Sequence, residues 1–452
     1  MTGHRSTTSS EWSSDGSGGA SLAYRARACK ARRRMAGRFP ALRHRDFALL
    51  WVANIVSRIG TQMRDVALAW QIYLLTKSPV ALGLLGAARV VPMILLALGG
   101  GVAADALDRR RLLITTQSII ALTSVGMALA TRGGWATPPL LYAMVGVAAA
   151  ATAFDNPARQ SLVVNLLPKA DLTNGLTLGI MGWQVATVVG PAVGGVLLAA
   201  VSIEAIYWID AVSFLAVIVA LTIISPRQDA GAPAEGRGRL SLRAVAEGFG
   251  FLKTRPALVW LMFLDFLATF FAGSMLLLPI FADRVFAAGE RGLGLLTSAP
   301  AVGSLIASGW LSTRPPIQRQ GVAVLGAVVC YGASIALFGL TTSLPLALLL
   351  LALSGAADTV STVVRQVVRH TLTPDHLRGR MTSINMIFFM SGPQLGEVEA
   401  GLVAAAFSAR ISVVSGGLAC VLLAVLVASL APRLRRLRDA SLEPAVETQP
   451  AS

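Results

Sequence analysis

Long apolar runs, separated by short polar turns, recur along this chain from residue 47 to residue 430. A helix needs about 20 apolar residues to cross the ~30 Å hydrocarbon core of a bilayer, and about twelve runs approach that length. We place them at Phe47–Leu75, Val80–Ala104, Leu112–Thr131, Pro139–Phe154, Gly175–Val201, Ile203–Ile224, Leu258–Phe281, Gly292–Leu311, Gly321–Leu340, Leu344–Val364, Ser383–Phe407 and Ile411–Leu430. The runs predict an all-α membrane protein, because helices satisfy their own backbone hydrogen bonds in lipid.

The composition agrees with a membrane protein and argues against a nucleic-acid-binding protein. Of the 452 residues, 54% are hydrophobic and 14% are charged, which is far from the mixture of a soluble domain. The formal net charge is +16, but Lys and Arg lie between the apolar runs and do not gather on one soluble face. We therefore expect a lipid bilayer, and no nucleic acid, around this chain.

Motifs for enzymatic chemistry are missing from the sequence. It has no phosphate-binding GxxxxGK[ST] loop and no Ser/His/Asp or metal-ligand cluster. The three cysteines, Cys29, Cys330 and Cys420, lie far apart without metal or redox spacing. We therefore predict that the chain is not an enzyme and has no catalytic residue, metal, cofactor or ATP drive.

The basic residues distinguish the two sides of the membrane. Most arginines and lysines lie in alternate loops, on the same side as the two basic tails. By the positive-inside rule both termini are cytoplasmic, in what we expect to be a bacterial plasma membrane. Residues 1–37 are rich in Ser, Gly and Arg, which predicts a disordered tail without a signal peptide, and Met35 is an alternative start.

One pattern, a basic polar loop followed by an apolar helix with a Gly-Pro pair, occurs twice and predicts two related halves. Its landmarks, in order, are Arg159-Gln160 with Arg365-Gln366, Pro168 with Pro374, and Gly190-Pro191 with Gly392-Pro393. Parallel repeats of six membrane helices are the architecture of one large transporter class, with the substrate site between the halves. The predicted boundaries are a tail at 1–45, a six-helix bundle at 46–224, a cytoplasmic linker with a surface helix at 225–256, a second bundle at 257–431 and a tail at 432–452.

The Gly-Pro pairs lie inside apolar helices, where they favour close packing and bending. Glycines four residues apart let two helix backbones approach, and proline removes one backbone hydrogen bond. Two interpretations of these residues stay open: the bent helices are moving elements, or the residues only allow the helices to pack closely. The residues concerned are Gly190, Pro191, Gly194 and Gly195 in the fifth run and Gly392, Pro393 and Gly396 in the eleventh.

The turn after the second run, GGGVAADALDRRRLL, resembles the loop 2–3 signature of the major facilitator superfamily. The residues that carry the resemblance are Gly101, Asp105, Arg109 and Arg110. The resemblance implies a cytoplasmic charge latch between the halves in the outward-facing state. Ala106 stands where the family often has Arg, and Asp108 where it often has Gly. Because Asp tolerates a left-handed turn better than most residues, we expect the loop to survive this change.

Further motifs are similar to those of one branch of that superfamily, the enterobactin exporters and macrolide-efflux proteins. GPAVGG resembles the antiporter motif of helix 5 in the exporters. The segments TKSP at 76–79 and DAVSF at 210–214 add to the pattern. The resemblance covers roughly residues 39–430 and implies a transporter, but it specifies the substrate poorly.

Charges inside the apolar runs are costly and are usually functional. Arg58, Gln62 and Asp65 share one helical stripe of the first run, and Asp65 is our first candidate for proton binding. The alternative is that Asp65 is locked in a structural pair with Arg58 or Arg89. Glu397, near the middle of the eleventh run, is a second proton candidate, and Asp265 in the seventh run is a third and weaker one.

Other charged residues have less direct predicted roles. Asp155 and Arg159, four residues apart, are expected to be latch partners, with Asp358 and Arg365 in the equivalent region of the second half. Asp210 and Glu204, in the sixth run, are expected to be structural or solvated.

The function we predict is proton-coupled export of amphiphilic small molecules, drugs or siderophore-like compounds, by alternating access between two states. The chain is expected to act as a monomer with a small-molecule substrate and protons as its partners. An importer or siderophore carrier is one alternative, and a membrane sensor or scaffold that transports nothing is another. The expected cavity residues are Arg58, Gln62, Asp65, Trp183, Gln184, Met275, Asn385, Phe388, Met390 and Glu397.

Overall fold

The fold is built of long helices that follow the apolar runs in order. A computed structural model of the chain describes residues 39–224, 256–271, 274–315, 317–373 and 378–435, with backbone only in some stretches, among them 97–106 and 378–390. The described part contains helices and turns and no strand. The helices are α1 (Arg45–Thr76), α2 (Pro79–Ala106), α3 (Arg109–Arg132), α4 (Pro138–Leu166), α5 (Lys169–Ala200), α6 (Ile203–Ile223), α7 (Pro256–Phe271), α8 (Gly289–Thr313), α9 (Gln320–Leu340), α10 (Leu344–Leu372), α11 (Arg378–Ala406), α12 (Ala409–Leu430) and a short α13 (Pro432–Arg435).

In the part of the chain that the structure describes, ten segments are long and apolar enough to cross a membrane. They belong to α2 to α10 and to α12, so the chain is a multi-pass membrane protein. The long helix α1 is not among them, because Arg58, Arg64 and Asp65 lie within it. A helix this polar can lie in a bilayer only when its charged face packs against other helices or lines a cavity.

Two of the sequence-based boundaries are wrong. The residues that follow Phe154 were expected to be a polar loop, but α4 continues through Pro157 to Leu166. Similarly, Arg365 lies inside α10, which continues to Leu372. Both helices extend past their apolar runs because their arginines make side-chain contacts within the bundle, so these charges do not need a loop.

The seventh run is not one continuous helix, as its apolar character had predicted. Helix α7 ends at Phe271, and the chain continues through short turns, Ser274–Leu277 and Leu278–Ile280, to a π-helical turn at Phe281–Val285. Pro279 in this segment has no backbone N–H to donate, which disfavours a regular helix there. The described residues do not include the predicted linker, apart from its last residue, Pro256.

Helices α1 to α6 pack mainly on one another, as do α7 to α12. Two large helix–helix contacts join these groups, and each is named after the residues that distinguish it. The Arg89 seam is the contact of α2 with α11, and the glycine seam is the contact of α5 with α8. Both seams lie at the end of the molecule where α1, α5 and α11 finish and α2 and α8 begin.

Glycines make the repeat visible in the packing. A Cβ atom placed on Gly190 of α5 would overlap Gln62 of α1, and one on Gly392 of α11 would lie 2.6 Å from the hydroxyl oxygen of Thr269 of α7. Four residues later, Gly194 meets the backbone of Met63 and Gly396 meets the backbone of Phe270. Thus α5 packs on α1 as α11 packs on α7, with Gln62 equivalent to Thr269 and Met63 equivalent to Phe270.

Candidate functional site

A chain of charged side chains begins on α1 and crosses the Arg89 seam. Asp65 receives a hydrogen bond of 3.1 Å from Arg64 and lies 3.4 Å from Arg89 of α2. Arg89 also lies 3.5 Å from Glu397 of α11, so it stands between two carboxylates that come from different halves. Two of our three proton candidates, Asp65 and Glu397, are therefore joined by one guanidinium.

In the other direction, the same row of charges continues from α1 to α6 within the first half. Arg64 lies 3.5 Å from Asp210 of α6, and both side chains are buried. Asp210 also accepts a hydrogen bond of 2.6 Å from the Ser124 hydroxyl of α3. We name the whole set the charge chain, and its members in spatial order are Asp210, Arg64, Asp65, Arg89 and Glu397.

The charge chain holds three carboxylates and two guanidiniums. With every carboxylate ionised it has a formal charge of −1, and one bound proton makes it neutral. An uncompensated negative charge in an environment of low polarity favours the binding of a proton or a cation. Arginine keeps its proton in proteins, so the exchangeable proton belongs to a carboxylate.

Some contacts in the charge chain are loose. Arg64 Nη1 and Arg89 Nη2 are buried and make no hydrogen bond to any described residue, although each lies within ion-pair distance of a carboxylate. A buried donor without a hydrogen bond is costly, so these guanidiniums gain if the helices shift.

Further hydrogen bonds close the molecule beyond the charge chain, at the end of α1. Asp283 accepts from the Tyr73 hydroxyl at 2.5 Å and from Lys77 Nζ at 2.9 Å. Trp70 donates to Glu290 at 3.2 Å. Each bond joins the first half to the π-helical turn or to α8, so this end of the molecule is sealed between the halves.

The glycine seam is uncharged where the described contacts join its two helices. A Cβ on Gly195 of α5 would lie 2.6 Å from the Cα atom of Gly294 of α8. The Ser298 hydroxyl donates to the Ala192 carbonyl across the seam at 3.1 Å. Gly195 and Glu397 hold the same place in the repeat, so the carboxylate of the Arg89 seam is replaced by a glycine in the glycine seam.

Each half also holds an ion pair away from the seams. In the first half, Arg159 donates to Asp155 through Nε at 2.9 Å and through Nη2 at 2.7 Å. In the second half, Arg365 of α10 lies 2.7 Å from Asp265 of α7. Asp265, Asp358 and Arg365 line a small cavity with Tyr331. Asp265, the third proton candidate, therefore lies apart from the charge chain.

The predicted latch is only partly visible. Arg110 donates to the Thr222 carbonyl at the end of α6, within the same half, and Arg109 begins α3. Asp108 has φ of −59° and accepts from the Arg111 N–H at 2.7 Å, so it is an N-cap and not the left-handed residue we expected. The latch candidates Gly101 and Asp105 lie in α2, in the stretch where the structure describes only the backbone.

Most of the other predicted cavity residues lie on α1, α5 and α11. Gln62 packs on Gly190, and Trp183 and Gln184 are partly buried on α5. Met275 is exposed on the turn after α7. The side chains of Asn385, Phe388 and Met390 on α11 lie outside those that the structure describes. Pro191 and Pro393 lie inside α5 and α11.

Sequence reasoning missed two members of the charge chain. Arg64 lies outside the stripe that Arg58, Gln62 and Asp65 share and was given no role, and Asp210 was expected to be structural or solvated, together with Glu204, which lies 4.0 Å from Arg132. The available signal was that Asp210 is a carboxylate in the middle of an apolar run and must have a partner there. One helix alone does not reveal which cation that partner is.

Comparison with known families places the whole described chain in one group. Residues 36–451 match the family described as transmembrane secretion effector. This match covers almost all of the sequence, including the charge chain and both seams.

Two named bacterial relatives cover most of the chain. It is 28% identical to the multidrug efflux pump Tap of Mycolicibacterium fortuitum over 407 residues. This aligned region covers 87% of this chain and 97% of that protein. It is 24% identical over 412 residues to the enterobactin exporter EntS of Shigella boydii serotype 18, spanning 88% and 94% respectively. Both names describe transport out of the cell.

Solved structures share the fold. A bacterial homologue of the human lysosomal transporter Spinster, inward-facing and unoccupied, superposes with a TM-score of 0.64 at 16% identity, over 90% of this chain and 98% of that one. A bacterial homologue of the iron transporter ferroportin, in an inward-facing state, gives 0.64 at 17% identity, over 85% and 98%. The predicted resemblance to the major facilitator superfamily, and its helical fold, are confirmed.

Proposed function

Because this chain belongs to the transmembrane secretion effectors of the major facilitator superfamily, we propose that it exports amphiphilic small molecules in exchange for protons, by alternating access. The observation that carries the proposal is the ion pair of Arg89 with Glu397. This pair joins the two halves, so it exists only while the Arg89 seam is closed.

Opening the seam would change the charge state of Glu397. When α2 moves away from α11, Arg89 keeps Asp65 as a partner on its own side, and Glu397 loses its counterion. A carboxylate without a counterion, in surroundings of low polarity, is stabilised by a proton. Closing the seam brings Arg89 back, which favours the ionised carboxylate and releases the proton.

The proposed direction of transport combines the predicted topology with the names of the relatives, since topology alone gives only the side that the closed end faces. With both termini in the cytoplasm, the closed end of the molecule faces the exterior. Glu397 would take up a proton when the seam opens to the exterior and release it when the molecule faces the cytoplasm. Protons then move inward down their gradient, and the return step carries substrate outward. The named relatives, an efflux pump and a siderophore exporter, support amphiphilic substrates.

Gradient-driven accumulation in proteoliposomes tests the proposal. We would reconstitute the purified full chain, impose a pH gradient and follow two fluorescent amphiphiles, cationic ethidium and anionic pyrenebutyrate. The parent is expected to accumulate at least one of them only when the gradient is present. Asp65→Asn or Glu397→Gln is expected to keep probe binding and to lose accumulation, because an amide cannot exchange a proton.

Glu399→Gln is the matched control. Glu399 lies on α11 two residues after Glu397 and makes no ion pair among the described residues, so this variant should accumulate the probe like the parent. If Asp65→Asn and Glu397→Gln both retain full proton-driven accumulation, the coupling site is not in the charge chain. If both lose probe binding alone, these residues are substrate ligands, and Asp265 is the next proton candidate.

A further inference from the structure

Arg58 of α1 is a guanidinium that has no counterion among the residues that the structure describes. It is partly buried, one turn before Gln62 on the polar stripe of α1. Among the described residues it makes no ion pair and no hydrogen bond. Charged groups inside proteins are normally paired and hydrogen-bonded, because leaving water without a partner is costly. An unmatched arginine at this depth needs an explanation.

The charges around Arg58 do not provide a partner. The groups close enough to interact with it are Arg159 and Asp155 of α4. Asp155 is already occupied, since one carboxylate oxygen accepts from Arg159 and the other accepts from Gln117 at 2.7 Å and from Thr116 at 3.1 Å. Arg58, Arg159 and Asp155 together carry a charge of +1.

The second half shows how the same position is neutralised. Since Gln62 is equivalent to Thr269 in the packing of the repeat, Arg58, one turn earlier, is equivalent to Asp265. Arg159 is equivalent to Arg365 in the sequence repeat. In the second half these positions hold a carboxylate and a guanidinium that pair at 2.7 Å, whereas in the first half they hold two guanidiniums.

From this asymmetry we infer that Arg58 binds the anionic group of the transported substrate. The inference rests on the proposed function and names the class of substrate as an anionic amphiphile. A carboxylate is the best match, because guanidinium donates two parallel hydrogen bonds to it.

A second unmatched group lies one turn away on the same helix. Asn54 Oδ1 is buried and has no hydrogen-bond partner in the described part of the chain. Residues four apart on a helix are neighbours on one face, so this acceptor and the Arg58 guanidinium can serve one ligand. The pair fits a molecule whose anionic group lies next to a hydroxyl or an N–H group.

Binding of two matched probes tests the inference. Purified full-length protein in detergent would be titrated with pyrenebutyrate and with its neutral amide, and fluorescence anisotropy would give both dissociation constants. We expect the parent to bind the carboxylate about tenfold more tightly than the amide, the difference expected for one charge-assisted contact. Arg58→Gln should abolish the preference and leave amide binding unchanged, and Arg58→Lys should restore part of it.

The control is Arg132→Gln, because Arg132 is an exposed arginine at the end of α3. It should keep the full preference. Each variant is first checked for a monodisperse elution profile. Equal binding of the two probes by the parent, no binding of either, or a preference that survives in Arg58→Gln contradicts the inference. The binding assay uses no pH gradient, so its outcome does not depend on proton coupling. Proton coupling is tested separately by the accumulation of ethidium in proteoliposomes.

Discussion

The two seams that join the halves of this transporter use the same packing device and differ in charge. In the glycine seam, Gly195 meets the backbone of Gly294. In the Arg89 seam, a Cβ on Gly83 would lie 3.0 Å from the Cα atom of Gly401, and one on Gly86 would lie 2.9 Å from Cβ of Glu397. Small residues therefore bring the helices together in both places, but only the second seam places a carboxylate opposite a guanidinium.

This difference separates two roles that a moving interface can have. The glycine seam is held mainly by close van der Waals packing of the two helices, so opening it loses mainly these contacts. In the proposed mechanism, the Arg89 seam would depend also on the protonation state of Glu397, because a neutral side chain pairs weakly with Arg89. One seam would then serve closure alone, and the other would couple closure to proton binding.

The largest effect is expected from filling the glycine seam. Gly195→Val would place side-chain carbon atoms on the backbone of Gly294, so the seam could not close. We expect probe accumulation to fall below about a tenth of the parent rate, as overpacking a tight contact costs ~1–3 kcal/mol or more. Gly179→Val on the same helix is the control, because a Cβ at Gly179 meets nothing within 4 Å. Equal activity of the two variants would show that close approach at Gly195 is not needed.

The second prediction removes the cation from the Arg89 seam. Arg89→Met leaves Asp65 and Glu397 without the guanidinium that joins them. Breaking a fully buried pair on one side typically costs about 3–5 kcal/mol, and these side chains are 18–27% exposed, so we expect a smaller drop in the melting temperature in detergent than that figure implies. The double variant Arg89→Met/Glu397→Met should regain part of this loss. A double variant as unstable as the sum of the two single variants would argue against direct coupling.

A smaller effect is expected at the sealed end of the molecule. Tyr73→Phe deletes the hydroxyl that donates to Asp283 across the halves. Losing one such bond should shift the balance toward the open form by about five- to tenfold. Tyr142→Phe is the control, since the Tyr142 hydroxyl donates to the Ala81 carbonyl within one half.

Spin labels measure that balance. Trp135 and Phe407 are exposed on turns at the sealed end, one in each half, and labels at Trp135→Cys and Phe407→Cys report their separation by electron–electron resonance. Cys29, Cys330 and Cys420 are replaced by Ala in this background. If Tyr73→Phe and Tyr142→Phe give the same distance distribution, the bond to Asp283 does not hold this end closed.

The sequence predicts the number and order of the helices well, because hydrocarbon thickness fixes the length of an apolar run. It predicts the ends less well where a charge is neutralised by another side chain. Arg159 was expected in a loop and lies in α4, since Asp155 one turn earlier accepts its hydrogen bonds. The partner of Arg64 was also missed, because Asp210 is far away in sequence and only the packing of α1 on α6 brings them together.

The repeat was the better guide to the site. In the repeat, Gly195 holds the place of Glu397, so the sequence alone shows that one seam carries a carboxylate where the other has a glycine. The role of Arg58 needed the packing as well, since its equivalence to Asp265 follows from glycine contacts and not from aligned letters. The periodicity of a single helix places a charge on a face, and the neighbouring helices decide whether that charge is paired.

The pH dependence of the Arg89 seam tests the central claim most directly. The same pair of spin labels would be measured in proteoliposomes from neutral to acidic pH. Glu397 is faced by Arg89 of α2 and, beyond it, by Asp65 of α1, and protonation of Glu397 removes its attraction to Arg89. We predict that acidic pH increases the population with widely separated labels in the parent and in Glu399→Gln. Glu397→Gln is expected to show this population already at neutral pH and to respond little to acid. A parent whose label distance ignores pH, or a Glu397→Gln variant that follows the parent curve, would contradict this prediction.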